Sequence, residues 1–185
     1  MKNMKALFCF VFEILKIVII ASLIVVPIRH FLFQPFIVRG NSMEPNFEDG
    51  DYLLIDEISF RFREPKRGEV IVFSPPNHSS GRYIKRIIGL PGETIEIKEG
   101  KIFIFDENGN FQILDESDYL PAFSFTPGNV KITLKEGEFF VLGDNRRFSL
   151  DSRTFGALPK EKIVGRVFFR AFPPNRFSKI VTPSY

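Results

Sequence analysis

Short segments in which apolar and polar residues alternate fill most of the chain after Pro35, and they restrict its fold more than any other feature. A period of two is typical of extended strands, whose successive side chains point to opposite faces of a sheet. Because turn residues separate these segments at short intervals, we predict a mainly β fold: a coiled antiparallel sheet that closes like a barrel. The predicted strands are residues 51–56, 69–73, 82–88, 94–98, 101–105, 130–134, 138–142 and 163–170.

Two places between these strands carry clear turn signals. Glu99-Gly100 predicts a two-residue hairpin turn, and residues 106–110, with the sequence DENGN, predict a second reversal of the chain. Residues 109–128 follow no regular pattern, so we predict a small insertion there.

The N-terminal part of the chain has a different character. The stretch Ala6–Ile28 is apolar except for Glu13 and Lys16, which lie three residues apart and can neutralise each other on one helical face. As a helix it would be about 34 Å long, at ~1.5 Å per residue, which is enough to cross the hydrocarbon core of a bilayer. A cleaved signal peptide is the alternative, but it needs small residues at a cleavage site, and bulky aromatic residues follow here.

We therefore predict a single transmembrane helix that acts as an uncleaved anchor. The expected division is a membrane anchor at residues 1–30 and a β-rich domain at residues 31–185. Lys2 and Lys5 favour a cytoplasmic N-terminus, which places the β-rich domain on the outer face of the membrane.

Charge and composition exclude several classes of protein. Residues 1–28 hold three lysines and one glutamate, and the rest of the chain holds 22 basic against 21 acidic residues. A nucleic-acid-binding face needs a concentrated basic excess, so we expect no nucleic-acid partner. The one cysteine, Cys9, forbids an internal disulfide bond, and with only His30 and His78 besides we expect no metal and no cofactor.

Ser42 is the first candidate for chemistry. It lies in the turn-rich segment RGNSMEPNFEDGD, residues 39–51, between Gly40 and Pro45. A serine on such a tight turn can expose both its hydroxyl and its own N–H, as a nucleophile requires. A turn serine that only bonds to the local backbone is the alternative, and this segment alone favours it.

Lys85 lies within the predicted strand at residues 82–88. On one face it has Tyr83 and Ile87 as neighbours, and the opposite face carries Ile84, Arg86 and Ile88. Such a lysine either extends its amine to solvent from an edge strand or is buried. Burial would lower its pKa and allow it to act as a general base.

The segment GDNRRFSLDSR, residues 143–153, is the third candidate. It is either a solvated loop or a buried network that orients a neighbouring group. Neither histidine is a convincing base, since His30 lies at the membrane edge and His78 in a loop. If Ser42 is a nucleophile, lysine is the remaining base, and a Ser–Lys pair is a known variant of the catalytic triad.

Taken in order, four motifs resemble those of the bacterial type I signal peptidases. They are Ser42-Met43-Glu44-Pro45, then GDYLLID, then KRIIGLPGE, then GDNRRFSLDSR, behind an N-terminal apolar segment. The resemblance extends to RVFFRAFPPNR at residues 166–176 and implies a membrane-anchored serine endopeptidase. Such an enzyme removes signal peptides from exported preproteins at the outer face of the cell membrane.

The resemblance also implies roles for individual residues. Ser42 would be the nucleophile, Lys85 the general base, and Ser149 the hydroxyl that bonds to the lysine ammonium. Asp151 and Arg153, together with Arg86, resemble a structural set of ion pairs beneath the site. Three further residues fall in the same motif with less defined roles: Gly143, Asp144 and Asn145.

An extended substrate is expected to add as a strand between residues 36–41 and the Lys85 strand. Its first and third side chains before the cut would enter two shallow pockets that accept small residues. The candidate lining residues are Ile37, Met43 and Ile84.

The chain departs from the family pattern at two positions. Asn46 stands where the family often has threonine, which we expect to be a small change outside the chemistry. Gly40 stands where some members carry a serine that helps the oxyanion hole, so the backbone N–H of Ser42 is the expected donor.

Two other classes remain as alternatives. One is a membrane-anchored binding domain without catalysis, which would be free to lose Ser42 or Lys85. The other is a self-cleaving regulator of the repressor type, but such proteins carry a DNA-binding domain where this chain has apolar residues.

Overall fold

The computed structural model describes residues 2–27, 33–76, 81–121, 124–183 and 185. Helix α1 spans Lys2–Pro27, and a short helix α2 spans Ser152–Phe155. The strands are β1 (Phe33–Ile37), β2 (Tyr52–Asp56), β3 (Val70–Phe73), β4 (Tyr83–Gly89), β5 (Thr94–Lys98), β6 (Lys101–Phe105), β7 (Phe111–Ile113), β8 (Val130–Thr133), β9 (Glu138–Leu142), β10 (Leu158–Pro159), β11 (Ile163–Phe172) and β12 (Ser178–Lys179).

Most of these strands form one antiparallel sheet in the order β1-β2-β11-β3-β4-β9-β10, with β12 paired to β11. Strand β11 shifts register against β2 and β3 at three places, and such bulges increase the local twist of a sheet. The prediction of a mainly β fold with a curled antiparallel sheet is confirmed. Strands β3 and β4 lie near its centre, and most of their side chains are buried on both faces.

The second sheet has the order β7-β6-β5-β8. Alternate residues of β5 and β6 turn inward, so that Ile95, Ile97, Ile102 and Ile104 share one buried cluster. Both residues of the turn between these strands have positive φ, 53° at Glu99 and 77° at Gly100. A two-residue hairpin turn of this type requires positive φ at both positions, so the predicted turn is confirmed.

The strand β4 separates the other two apolar clusters. Ile84 packs with Val70 and Val72 in one cluster, whereas Ile87 packs with Ile71 and Phe73 in the other. The alternation predicted from the sequence, with odd-numbered and even-numbered side chains on opposite faces, is thus confirmed. Lys85 lies between two core residues on a central strand.

Helix α1 exposes every side chain that is described within it, residues 10–23. Within the part of the chain that the structure describes, no helix combines the length and the apolar character that crossing a bilayer demands.

Candidate active site

Ser42 lies in the segment between β1 and β2, residues 38–51, here called the serine turn. Two backbone bonds close this segment, from Val38 N to Asp51 O at 2.9 Å and from Gly50 N to Val38 O at 3.0 Å. The buried side chains of Met43 and Phe47 pin the turn to the first apolar cluster. The rigid turn holds the Ser42 hydroxyl toward β4.

Lys85 meets that hydroxyl from the middle of β4. Its Nζ lies 2.7 Å from Ser42 Oγ and donates a second hydrogen bond to the Ile84 carbonyl at 2.9 Å. The residue is only 3% exposed, so of the two interpretations the buried lysine is confirmed. Burial lowers the pKa of Lys85 to about 8, against the opposing influence of the carboxylates of Asp151 and Asp144.

The loop of residues 143–153, here called the 143–153 loop, supports the serine turn from the other side. Asn145 donates its backbone N–H to the Ser42 carbonyl and its side-chain amide to the Asn41 carbonyl, both at 3.1 Å. A Cβ atom at Gly143 would overlap the Ser42 carbonyl oxygen and the Ser149 hydroxyl. Glycine is therefore needed where the two segments approach.

Ser149 does not make the hydrogen bond that the family resemblance implies. Its Oγ is buried beside Gly143 and has no hydrogen-bond partner among the described residues. The two hydrogen bonds of the Lys85 ammonium go to Ser42 and Ile84 instead.

Two ion pairs lie directly behind the serine and the lysine. Asp151 accepts from Arg153 at 2.7 and 2.8 Å and from the Gly143 backbone at 3.1 Å, and it also caps helix α2. Arg86 pairs with Asp144, at 2.6 and 2.8 Å, and not with Asp151. The 143–153 loop thus contributes a buried network, since both aspartates are almost fully buried.

The three predicted substrate-contacting residues differ in their exposure. Ile37 exposes 46% of its surface beside the serine turn. Met43 is fully buried and Ile84 is 4% exposed, and both are members of the first core cluster. Met43 therefore packs in the core instead of lining a pocket, because its side chain is needed to hold the serine turn.

Three residues outside the sequence motifs contact motif arginines at the site: Glu116, Tyr119 and Thr126. Tyr119 places its ring 4.0 Å from the Arg86 guanidinium, and Arg146 bonds to Glu116 and to Thr126. Three of these residues come from the irregular stretch 109–128, whose fold could not be predicted from a repeating pattern. His30 and His78 lie outside the described residues.

A serine hydroxyl bonded to a buried lysine of lowered pKa, on a mainly β scaffold, is the arrangement of a serine hydrolase that uses lysine in place of histidine. The matching family model covers residues 11–172 and is described as signal peptidase, peptidase S26. The chain belongs to this family, and it is a serine endopeptidase.

The chain is similar to individual signal peptidases. A probable signal peptidase I-2 of Synechocystis sp. is 36% identical over 172 residues, covering 89% of this chain and 74% of that protein. Signal peptidase I T of Bacillus subtilis is 36% identical over 165 residues, covering 86% and 84% of the two chains. A crystal structure of a signal peptidase I from Enterococcus faecalis V583 aligns with a TM-score of 0.46 and 32% identity, over 56% of this chain and 97% of that chain.

Proposed function

We propose that this peptidase cleaves N-terminal signal peptides from exported preproteins, with Ser42 as the nucleophile and Lys85 as the general base. The observation that carries the proposal is the 2.7 Å contact between Lys85 Nζ and Ser42 Oγ. The lowered pKa of Lys85 supports it, because a base must be neutral before it can accept a proton.

The reaction then proceeds in two steps. The neutral Lys85 amine takes the Oγ proton while Ser42 attacks the scissile carbonyl carbon, and the resulting ammonium gives that proton to the leaving amine. A water molecule next loses a proton to Lys85 and attacks the acyl carbon. The bond from that carbon to Ser42 Oγ then breaks, Lys85 returns the proton to Oγ, and the signal peptide leaves with a free carboxyl group.

The negative oxygen of the intermediate needs a hydrogen-bond donor. The Ser42 backbone N–H suits this role, because no described residue accepts a hydrogen bond from it. Gly40 adds no side-chain donor, and its φ of 81° is favourable for glycine.

The strand pairing supports an extended substrate between the serine turn and β4. Strand β9 pairs with Arg86, Ile87 and Gly89, so residues 83–85 have no partner strand on that side among the described strands. A substrate strand there would place its scissile bond beside Ser42 and Lys85. Ile37 is the exposed apolar residue that would contact the substrate side chains before the cut.

We also propose that residues 1–30 anchor the enzyme in the cell membrane by a single pass, with the N-terminus cytoplasmic and residues 31–185 on the outer face. Most of the described side chains on helix α1 are apolar, and the large ones are exposed: Phe10, Val11, Phe12, Ile14, Leu15, Ile17, Val18, Ile19, Ile20 and Leu23. Lipid is the surrounding that such a surface favours. An anchor would also bring the site close to precursors whose signal peptides lie in the bilayer.

The test is to incubate the full chain, purified in detergent, with a precursor that carries a signal peptide. The wild type is expected to release the mature protein, and Ser42→Ala is expected to remain folded and release none. Turnover by the alanine variant at the wild-type rate would remove Ser42 from its role. A second precursor, with phenylalanine at the first and third positions before the cut, is expected to resist cleavage.

A further inference from the structure

Asn46 makes more contacts around the site than its position in the sequence suggested. Its side-chain amide donates to the Tyr119 carbonyl at 2.7 Å and to the Asp144 carboxylate at 2.8 Å. Its backbone carbonyl accepts from the Arg170 guanidinium at 2.6 Å. Asn46 is thus fixed from three directions.

We propose that Asn46 is a positioning residue for the Ser42–Lys85 pair, since its amide ties the serine turn to the aspartate that holds Arg86 next to Lys85. The inference rests on the proposed function and names a further residue on which that function depends. Asn46 itself touches neither the substrate nor the reacting atoms.

The contacts connect Ser42 with Lys85 by a second route. Asn46 is four residues after Ser42 in the same turn, and Asp144 binds Arg86, which follows Lys85 on β4. The Tyr119 ring packs on the same Arg86 guanidinium at 4.0 Å. The proton passes directly from Ser42 Oγ to Lys85 Nζ, which are 2.7 Å apart. A shift of the serine turn away from β4 would lengthen this distance.

The chemistry of the amide suits this position. The Nδ2 atom carries two hydrogens, and each has one acceptor here, a backbone carbonyl and a carboxylate. Threonine, frequent at this position in the family, has one hydroxyl hydrogen and could satisfy only one of these acceptors. Asn46 does not enter the chemistry itself, but its amide links the two halves of the site.

The amide also affects the electrostatics at Lys85. The carboxylates of Asp144 and Asp151 raise the pKa of Lys85, and they are themselves paired with Arg86 and Arg153. Removing the Asn46 amide takes one hydrogen-bond donor from Asp144, so its negative charge acts more strongly on Lys85. The pKa of Lys85 should rise, and the acid limb of activity should move to higher pH.

The experiment compares Asn46→Ala and Asn46→Thr with wild type, as full chains in detergent acting on the signal-bearing precursor. Asn110→Ala is the matched control, because Asn110 also donates its side-chain amide to a carboxylate, Asp106 at 2.9 Å, but on an exposed turn. For each protein we would measure kcat, KM, the pH dependence of kcat/KM and the thermal unfolding midpoint.

Asn46→Ala is expected to lower kcat roughly ten- to a hundredfold, the cost of a small misplacement of reacting groups. Its KM should change little and its acid limb should move to higher pH, whereas Asn110→Ala should match wild type. Asn46→Thr, which keeps one donor, should have an intermediate kcat.

The proposal is overturned if Asn46→Ala has the kcat and acid limb of the Asn110→Ala control. It is also overturned if Asn46→Ala lowers the unfolding midpoint while its kcat and its acid limb keep their wild-type values. If Asn46→Ala does not fold, Asn46→Thr provides the test. Wild-type kcat and a wild-type acid limb in Asn46→Thr would show that the site does not need both hydrogens of the Asn46 amide. A failure of the proposed function would give a different result. In that case the wild type would not cleave the precursor, or Ser42→Ala would still cleave it.

Discussion

Two opposing influences act on the amine of Lys85, and burial is the stronger. Taking the ammonium out of water disfavours the charged form, whereas Asp151 and Asp144 favour it. Each carboxylate is also paired with an arginine, Arg153 or Arg86, which offsets its charge. The result is a lysine that is neutral in a substantial fraction of molecules slightly above neutral pH.

The pH dependence of cleavage should report this lysine. Protonated Lys85 cannot take the serine proton, so kcat/KM should fall as the pH drops through the lowered lysine pKa of about 8. Lys85→Arg should be inactive, since a guanidinium stays protonated at working pH. The measurement is kcat/KM from about pH 6 to about pH 10 for both proteins.

A histidine base would give a different profile. An acid limb near ~6.5 in the wild type would point to an unperturbed histidine and exclude Lys85 as the base. Substantial activity in the arginine variant would exclude it as well.

How far the site could be predicted differs from residue to residue. Ser42 and Lys85 follow from the ordered motifs, and the structure brings their side chains together. The ion-pair partner of Arg86 could not be predicted from the sequence. Asp144 and Asp151 lie on one loop, and their spacing does not show which of them faces β4. The contacts of Asn46 could not be predicted, because its acceptors, at positions 119 and 144, come close only in the folded chain.

The length of a strand largely determined whether it could be predicted from the sequence. All eight predicted strands are present, at boundaries that agree to within about two residues. Strands β10 and β12 have two residues each and β7 has three exposed ones, too few to show an alternating pattern. Strand β1 was missed because it contains Pro35, which lacks a backbone donor and is tolerated here on an edge strand.

The 143–153 loop acts as an element in its own right, and Gly143 is its most restrictive position. Gly143→Ala would force the loop away from the Ser42 carbonyl and from Ser149. We expect roughly a hundredfold lower kcat, because a displacement of about 1 Å at a reacting group has that effect. Single-turnover cleavage and thermal unfolding of the variant would measure the loss.

Gly109→Ala provides the control for that substitution. Gly109 has positive φ, but a Cβ there would meet no atom within 4 Å. Gly109→Ala therefore measures the effect of backbone strain without a steric overlap. Cleavage by Gly143→Ala as fast as by this control would show that the loop can adapt without disturbing Ser42.

The site lies where three apolar clusters of the described chain meet. The serine turn belongs to the first apolar cluster, Ile87 of β4 belongs to the third, and Ile88 belongs to the second, which also covers the small sheet. Gly89 marks the junction, because a Cβ there would overlap the side chains of Ile95 in β5 and of Leu134, which follows β8. The position of Lys85 therefore depends on the packing of both sheets.

The described core indicates that folding does not depend on the proposed anchor. Every buried apolar side chain in the described part of the chain lies between Val38 and Val167, and the described side chains of helix α1 are all exposed. A chain that lacks residues 1–32 loses none of this core. Its unfolding free energy should therefore stay within about 0.5 kcal/mol of the full chain, as for other changes to exposed surface.

Cleavage by the truncated chain should depend on where the substrate is. A short soluble peptide should be cut at the rate of the full enzyme, because Ser42, Lys85 and the 143–153 loop are intact. A precursor held in lipid vesicles should be cut much more slowly, since an anchor raises the effective concentration of enzyme at the bilayer by a factor of about 10²–10⁴. Equal rates on the vesicle-bound precursor would contradict the anchor, and loss of activity on the soluble peptide would show that residues 1–32 support the site itself.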